Sequence, residues 1–223
     1  GPSTAGAEVG SHKIHLMSHF DLELLSALAL FAFVSSATPG PNNAMLMASG
    51  ANYGFVRTLP HLAGVALGFV FLVVCVGLGL GGLFTAVPVA HTVLKVVGVA
   101  YLLWLAWKIG TATTGPGEGD GGGQPLTFLQ AAGFQWVNPK AWVMAVGALA
   151  AYLPPSEPIA GLAVVALVFG LVNLPCVAAW TAFGVGLRRF LQKPRALAIF
   201  NGVMAGLLAL STVPVILDLI DGG

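Results

Sequence analysis

Charge is scarce in this chain. Of its 223 residues, 9 are Lys or Arg and 8 are Asp or Glu, so charged side chains make up 8%, about a third of the share usual in a soluble domain. Scarcity on that scale excludes a water-soluble globule. The net charge is only +1, and no basic patch exists of the kind that nucleic acid requires. Cysteine is nearly absent too. Cys75 and Cys176 both sit in apolar runs with no neighbouring charge to activate a thiol, and they read as small buried hydrophobes. No Cys or His spacing suits zinc, and no cofactor is expected.

What fills the chain instead is apolar. Hydrophobic residues make up 57% of it, and its 30 glycines follow no three-residue period, which excludes collagen and suits close helix packing in a bilayer. Spanning a bilayer takes about 20 residues of helix. Six segments qualify, near 22–50, 60–82, 88–110, 126–151, 158–184 and 196–217. Pro60, Pro88, Pro125, Pro158 and Pro194 fall at or beside segment starts, where proline is tolerated. The polar residues 1–16 precede Met17 and read as a remnant of recombinant expression rather than part of the fold. The expectation is one transmembrane domain over 17–217, with a short tail at 218–223.

Two spans are broken. Thr38-Pro39-Gly40-Pro41-Asn42-Asn43 interrupts the first, and each proline costs about 3 kcal/mol in a helix interior. Trp136-Val137-Asn138-Pro139-Lys140 interrupts the fourth. In hydrocarbon the freed backbone groups cannot turn to water, so such breaks survive only where protein or a wet cavity surrounds them.

The halves also resemble each other. Sliding Thr38–Ala51 onto Gln135–Ala148 without a gap aligns Ala44 with Ala141, Met47 with Met144, Ala48 with Ala145, Gly50 with Gly147 and Ala51 with Ala148. Residues 63–69 match 163–169 at five of seven positions, and the two breaks land on each other. With three spans per half, the second copy must enter the membrane upside down. The expected fold is therefore an all-α membrane protein of six transmembrane helices. It forms two inverted three-helix repeats, about 17–112 and 125–217, joined by a glycine-rich linker at about 113–124. Helices one and four are broken near the midplane.

Arg57, Lys108, Arg188, Arg189, Lys193 and Arg195 fall in connections after the odd spans, while Asp21, Glu23, Glu157, Asp218 and Asp221 gather opposite, beside Lys95. The bias predicts that both termini lie outside the cytoplasm. Gly77, Gly79, Gly81 and Gly82 permit close helix contact within a protomer or in a homodimer.

The breaks are where chemistry can sit. Asn138 is a good N-cap and Pro139 a good first helical residue, so the second break begins a half-helix about twelve residues, or roughly 18 Å, into its span. Its free amides and positive dipole end suit an anion, and Lys140 adds a full charge. An ionisable residue near the centre of a span is costly, and is functional by default. At the first break Asn42 or Asn43 can cap the second half-helix. Thr38 and the carbonyls of Ser35, Ser36 and Ala37 are left to attract a cation. A carboxylate site facing an ammonium site is the pattern of an α-amino acid. Gln135, beside the second break, and Asn173, which with Pro175 interrupts the fifth span, are further candidates for substrate contact. His61 is the most plausible proton carrier by intrinsic pKa, although a histidine at the start of a span is more often interfacial. Tyr101, Trp104, Trp107 and Trp136 read as interface anchors or cavity wall.

These residues carry a family likeness. Thr38-Pro39-Gly40-Pro41-Asn42, Gly64 with Gly68, Gly98-Val99-Ala100-Tyr101-Leu102-Leu103-Trp104 and Asn138-Pro139-Lys140 resemble the lysine-exporter (LysE) superfamily, of the homoserine/threonine-resistance (RhtB) type. The resemblance extends from Met17 onward. It implies a bacterial inner-membrane exporter of amino acids, neutral and homoserine/threonine-like or aliphatic, driven by protons as an antiporter and without enzyme activity. It carries Pro39, Gly40, Pro41 and Asn42 over as one half of the site, with Asn138, Pro139 and Lys140 as the other. Many relatives place an acidic residue where this chain has Asn42, which argues against a cationic substrate here. Two other functions compete with this reading. Export of divalent metal would want intramembrane carboxylates, histidines or thiolates. Thiol transfer would use Cys75 and Cys176, which fall one residue apart in register between the halves.

Overall fold

A computed structural model describes residues 22–80, 86, 88–111 and 124–221. The expression remnant expected at 1–16, and the linker expected at 113–124 apart from Gln124, lie outside the described residues. Among the described residues, eight α-helices follow in order: α1 (Leu22–Ala37), α2 (Pro41–Tyr53), α3 (Phe55–Cys75), α4 (Pro88–Gly110), α5 (Phe128–Phe134), α6 (Pro139–Tyr152), α7 (Pro158–Leu187) and α8 (Pro194–Ile220). A π-turn at Val76–Leu80 extends α3, and a 3₁₀ turn at Phe190–Gln192 precedes α8. No strand occurs among the described residues.

The distribution of side chains is that of a membrane protein. Leu30, Phe33, Phe71, Leu171 and Ile199 are exposed, whereas Asn43, Gln135, Asn138 and Asn173 are buried. Apolar groups face outward and amides face the middle, as expected where the solvent is hydrocarbon. Among the described residues, Phe55–Gly79, Pro158–Leu187 and Pro194–Ile220 are long and apolar enough to cross a membrane. Helices α1 and α2, bent by 56° at their break, make a fourth if counted as one span. The six expected spans are not all reached on length and composition. The apolar part of α4 is the shorter stretch Lys95–Trp107, and α5 with α6 does not pass as a spanning pair.

Helix α7 is the central post. It packs on α2, α3 and α1, while α4 packs chiefly on α8 and α3 on α5. The α2–α7 seam has no room for side chains. A Cβ on Gly184 would lie 2.0 Å from the Met47 carbonyl oxygen, and one on Gly50 would lie 2.2 Å from that of Thr181. The path between α2 and α3 turns at Gly54, whose φ of 81° favours glycine.

Two expectations are corrected. The second span starts at Phe55, so Pro60 lies inside α3 rather than at its start. Asn173 and Pro175 do not interrupt the fifth span. Helix α7 runs unbroken through both, a single proline being tolerated in a membrane-spanning helix. Gly77 serves a contact within the protomer, against Leu162, while Gly81 and Gly82 lie outside the described residues.

Candidate functional site

The two breaks, nearly a hundred residues apart in sequence, meet in space. At the first, the chain passes through Thr38, Pro39 and Gly40, with Gly40 fully extended (φ −174°, ψ 179°). Pro41 opens α2, and the cap position is Gly40, which offers no side chain. This corrects the expectation that Asn42 or Asn43 caps that half-helix. A proline pair forces the chain out extended, so the asparagines already lie inside the first turn and their side chains are free to reach elsewhere.

The carbonyls expected to be free at the end of α1 all have partners. Ser35 O accepts from Thr38 Oγ1 at 3.0 Å. Ser36 O accepts from Asn43 Nδ2 at 2.8 Å, and Ala37 O from Trp180 Nε1 at 3.2 Å. Thr38 O accepts twice, from Asn43 Nδ2 at 2.8 Å and from Lys140 Nζ at 2.7 Å. Lys140 Nζ also donates to Thr38 Oγ1 at 3.0 Å and to Pro39 O at 3.4 Å. The ammonium of the second break thus occupies the cation-attracting end of the first. Asn43 and Lys140, equivalent in the gapless alignment of the halves, converge on one carbonyl oxygen.

The second break is built differently. Helix α5 closes through three successive short-range bonds, Gln135 N to Ala132 O, Trp136 N to Gly133 O and Val137 N to Phe134 O. Asn138 then caps α6, its Oδ1 accepting from Lys140 N at 3.1 Å, with Pro139 in the first turn. That is the cap read from the sequence. Trp142 Nε1 donates to Trp136 O at 2.8 Å. Gly98 of α4 admits the Val137 carbonyl, which would lie 2.3 Å from a Cβ there.

Asn42 and Gln135 tie the breaks together. Asn42 Nδ2 donates to Gln135 Oε1 at 2.8 Å and Gln135 Nε2 returns a bond to Asn42 Oδ1 at 3.1 Å. A further bond from Gln135 Nε2 to Ala131 O at 2.9 Å completes a fully buried amide.

Two spaces adjoin this junction. A cavity of about 600 Å³ is lined by Pro39, Gly40, Pro41, Trp136, Val137, Pro139 and Lys140 from the breaks, with Val99, Trp142, Ser211 and Pro214 among its other walls. That is ample for an amino acid. The Lys95–Asp218 ion pair, between α4 and α8, also borders it. A chamber of about 20 Å³, enough for a water, is lined by Ser35, Ser36, Asn42, Asn43, Asn138, Asn173 and Lys140. The Ser36 hydroxyl is buried there without a hydrogen-bond partner. Gly40 and Lys140 are the break residues common to cavity and chamber.

Of the residues singled out in the sequence, Pro39, Gly40, Pro41, Pro139 and Lys140 line the cavity, while Asn42, Asn138 and Asn173 line the chamber. Thr38 holds the Lys140 ammonium, and Gln135 reaches the site only through Asn42. His61 is 2% exposed, borders neither space, and neither ring nitrogen has a hydrogen-bond partner. Trp136 is cavity wall. Cys176 faces an outer groove with Phe33, Ala37 and Trp180 that Cys75 does not reach. Among the described residues, no three His, Cys, Asp or Glu side chains group to hold a metal. Sequence reasoning missed Asn43 as a bridge, although its register with Lys140 was a signal. It also missed Trp180, for which only the packing gives a signal, and the Lys95–Asp218 pair, whose two charges the sequence sets on the same side.

The family model described as LysE type translocator matches residues 33–218. The chain is 32% identical over 173 residues to the cysteine/O-acetylserine efflux protein of Escherichia coli strain K12, a match covering 76% of this chain and 87% of that protein. The proteins of the same description from Shigella sonnei and Shigella flexneri match equally. No solved structure matches the chain.

Proposed function

This multi-pass membrane chain belongs to the LysE type translocator family, and on that premise we propose that it exports a small neutral amino acid or close derivative across a bacterial inner membrane. The cargo is homoserine/threonine-like or aliphatic, or resembles the cysteine and O-acetylserine for which its relatives are named. The observation that carries this reading is the meeting of the two breaks at the wall of the 600 Å³ cavity, with Lys140 between them. Half-helix ends facing one another supply what a zwitterion needs: oxygens for its ammonium, and amides with a lysine for its carboxylate. Thr38, Pro39, Gly40 and Pro41 form one side of the site, and Asn138, Pro139 and Lys140 the other. Asn42, Gln135 and Asn173 support them.

Transport proceeds by alternating access, one three-helix repeat moving against the other about this junction. Export is antiport against protons, with His61 the candidate carrier. A buried imidazole with both nitrogens unpartnered is costly to keep unless it serves something. Both termini face away from the cytoplasm. In support, the Arg188 guanidinium comes within 3.7 Å of a Cβ placed on Gly54, bringing two connections of the basic side to the same end.

Counterflow into proteoliposomes with labelled cysteine, O-acetylserine, threonine, homoserine and lysine tests the reading. A neutral amino acid is expected to exchange and lysine to be refused. His61→Gln is expected to keep exchange but lose accumulation driven by a pH gradient. Exchange of none of the five would sink amino-acid export.

A further inference from the structure

The oxygens best suited to a cargo ammonium are already taken by the protein's own. Thr38 O, Thr38 Oγ1 and Pro39 O surround Lys140 Nζ at 2.7, 3.0 and 3.4 Å, and all three are neutral. A primary ammonium has three hydrogens to donate, and the carbonyl end of a helix adds a partial negative charge. Nothing in that recognition distinguishes the ammonium of Lys140 from that of an amino acid. The lysine stem lies against Gly40, where a Cβ would stand 2.7 Å from Lys140 Cδ. It runs between the 600 Å³ cavity and the small chamber, and it lines both.

We propose that Lys140 is an internal competitor for the amine subsite: cargo binds by displacing the Lys140 ammonium from the Thr38 and Pro39 oxygens, and the displaced lysine turns into the cavity to pair with the cargo carboxylate. This rests on the amino-acid reading above and deepens it. The exchange is of like for like, so the oxygens never face hydrocarbon unpaired. A simple amine can take the oxygens but leaves Lys140 without an anion. A simple carboxylate can meet Lys140 only by stripping those oxygens of their cation. Only a molecule carrying both groups replaces everything it disrupts. Selectivity for zwitterions, and retention of the empty carrier in one state, then come from a single side chain.

The test compares each amino acid with its carboxylate-free counterpart on the full chain in nanodiscs: cysteine with cysteamine, and threonine with 1-aminopropan-2-ol. The native protein is expected to bind the better amino acid at least tenfold more tightly than the matching amine. In Lys140→Gln the amine should bind at least tenfold better than to the native protein while the amino acid binds worse, so that the preference collapses. Lys140→Arg, which keeps a cation on the oxygens, should still refuse the amine. Gly40→Ala, which pushes the stem aside while leaving the charge, should also raise amine binding, and it serves if Lys140→Gln does not fold. Amine binding that stays the same or falls in both Lys140→Gln and Gly40→Ala would overturn the proposal and leave Lys140 a plain anion partner. Failure of the native protein to bind any amino acid would sink the export reading instead. A gain in amine binding on removing Lys140 would even then uphold a self-occupied cation site.

Discussion

The two breaks solve one problem in opposite ways. Each interrupts a helix inside an apolar run and must find partners for the backbone groups it frees. The second does so locally, through three i→i+3 bonds and an asparagine cap two residues from its donor. The first leaves the chain extended and depends on side chains from afar: Trp180 on α7, Lys140 on α6, and Asn43 reaching back across the gap. A locally closed break is rigid whatever the rest of the molecule does. A break held by distant groups changes when those groups move.

That contrast can be tested by substitution, beginning with the largest expected effect. Gly98→Leu drives a side chain into the Val137 carbonyl, 2.3 Å from where its Cβ would stand. With backbone on the far side and nothing able to yield, it should cost on the order of 3 kcal/mol. It should appear as a collapsed thermal melt in detergent, and a native melt would mean that the second break is not rigid. Asn43→Ala removes the donor shared by Ser36 O and Thr38 O in a buried setting and should cost about 2 kcal/mol. Asn138→Ala removes only a cap and should cost about 1 kcal/mol. Thermal melts that rank the two asparagines the other way would reverse the contrast.

The amide pair between the breaks should contribute less. A double-mutant cycle of Asn42→Ala with Gln135→Ala is expected to give a coupling of about 0.6–1 kcal/mol, typical of hydrogen bonds between membrane helices. Zero coupling would mean that the breaks stay together without it. Smallest in stability is Gly40→Ala. Its backbone is extended, which any residue adopts, and its clash is with a flexible lysine stem. A change below about 0.5 kcal/mol is expected, with the effect read in amine binding rather than in the melt.

Legibility in the sequence follows the same division. The second break could be read almost whole, because Asn138-Pro139 is a cap followed by a proline at a position that favours one. The first could be located but not resolved. Prolines announce that a helix stops, yet they do not say which distant donor reaches Ser36 O or Ala37 O. Asn173 and Pro175 erred the other way. Their residue types suggested an interruption, yet α7 runs continuous through both. His61 stands near the start of the span as the sequence places it, yet α3 begins at Phe55 and the imidazole is buried, which only the packing decides.

By itself, then, the sequence determined the class of the protein, the positions of both breaks and the cap of α6. These depend on composition over a window or on neighbours within a few residues, where the chain's own geometry fixes the outcome. Tertiary structure alone decided that the Lys140 ammonium faces the Thr38 and Pro39 oxygens, and that Asn42 and Gln135 pair with each other. Those partners are separated by about a hundred residues. At that distance a long, flexible side chain finds its acceptor only once α7 has set where the half-helices stand.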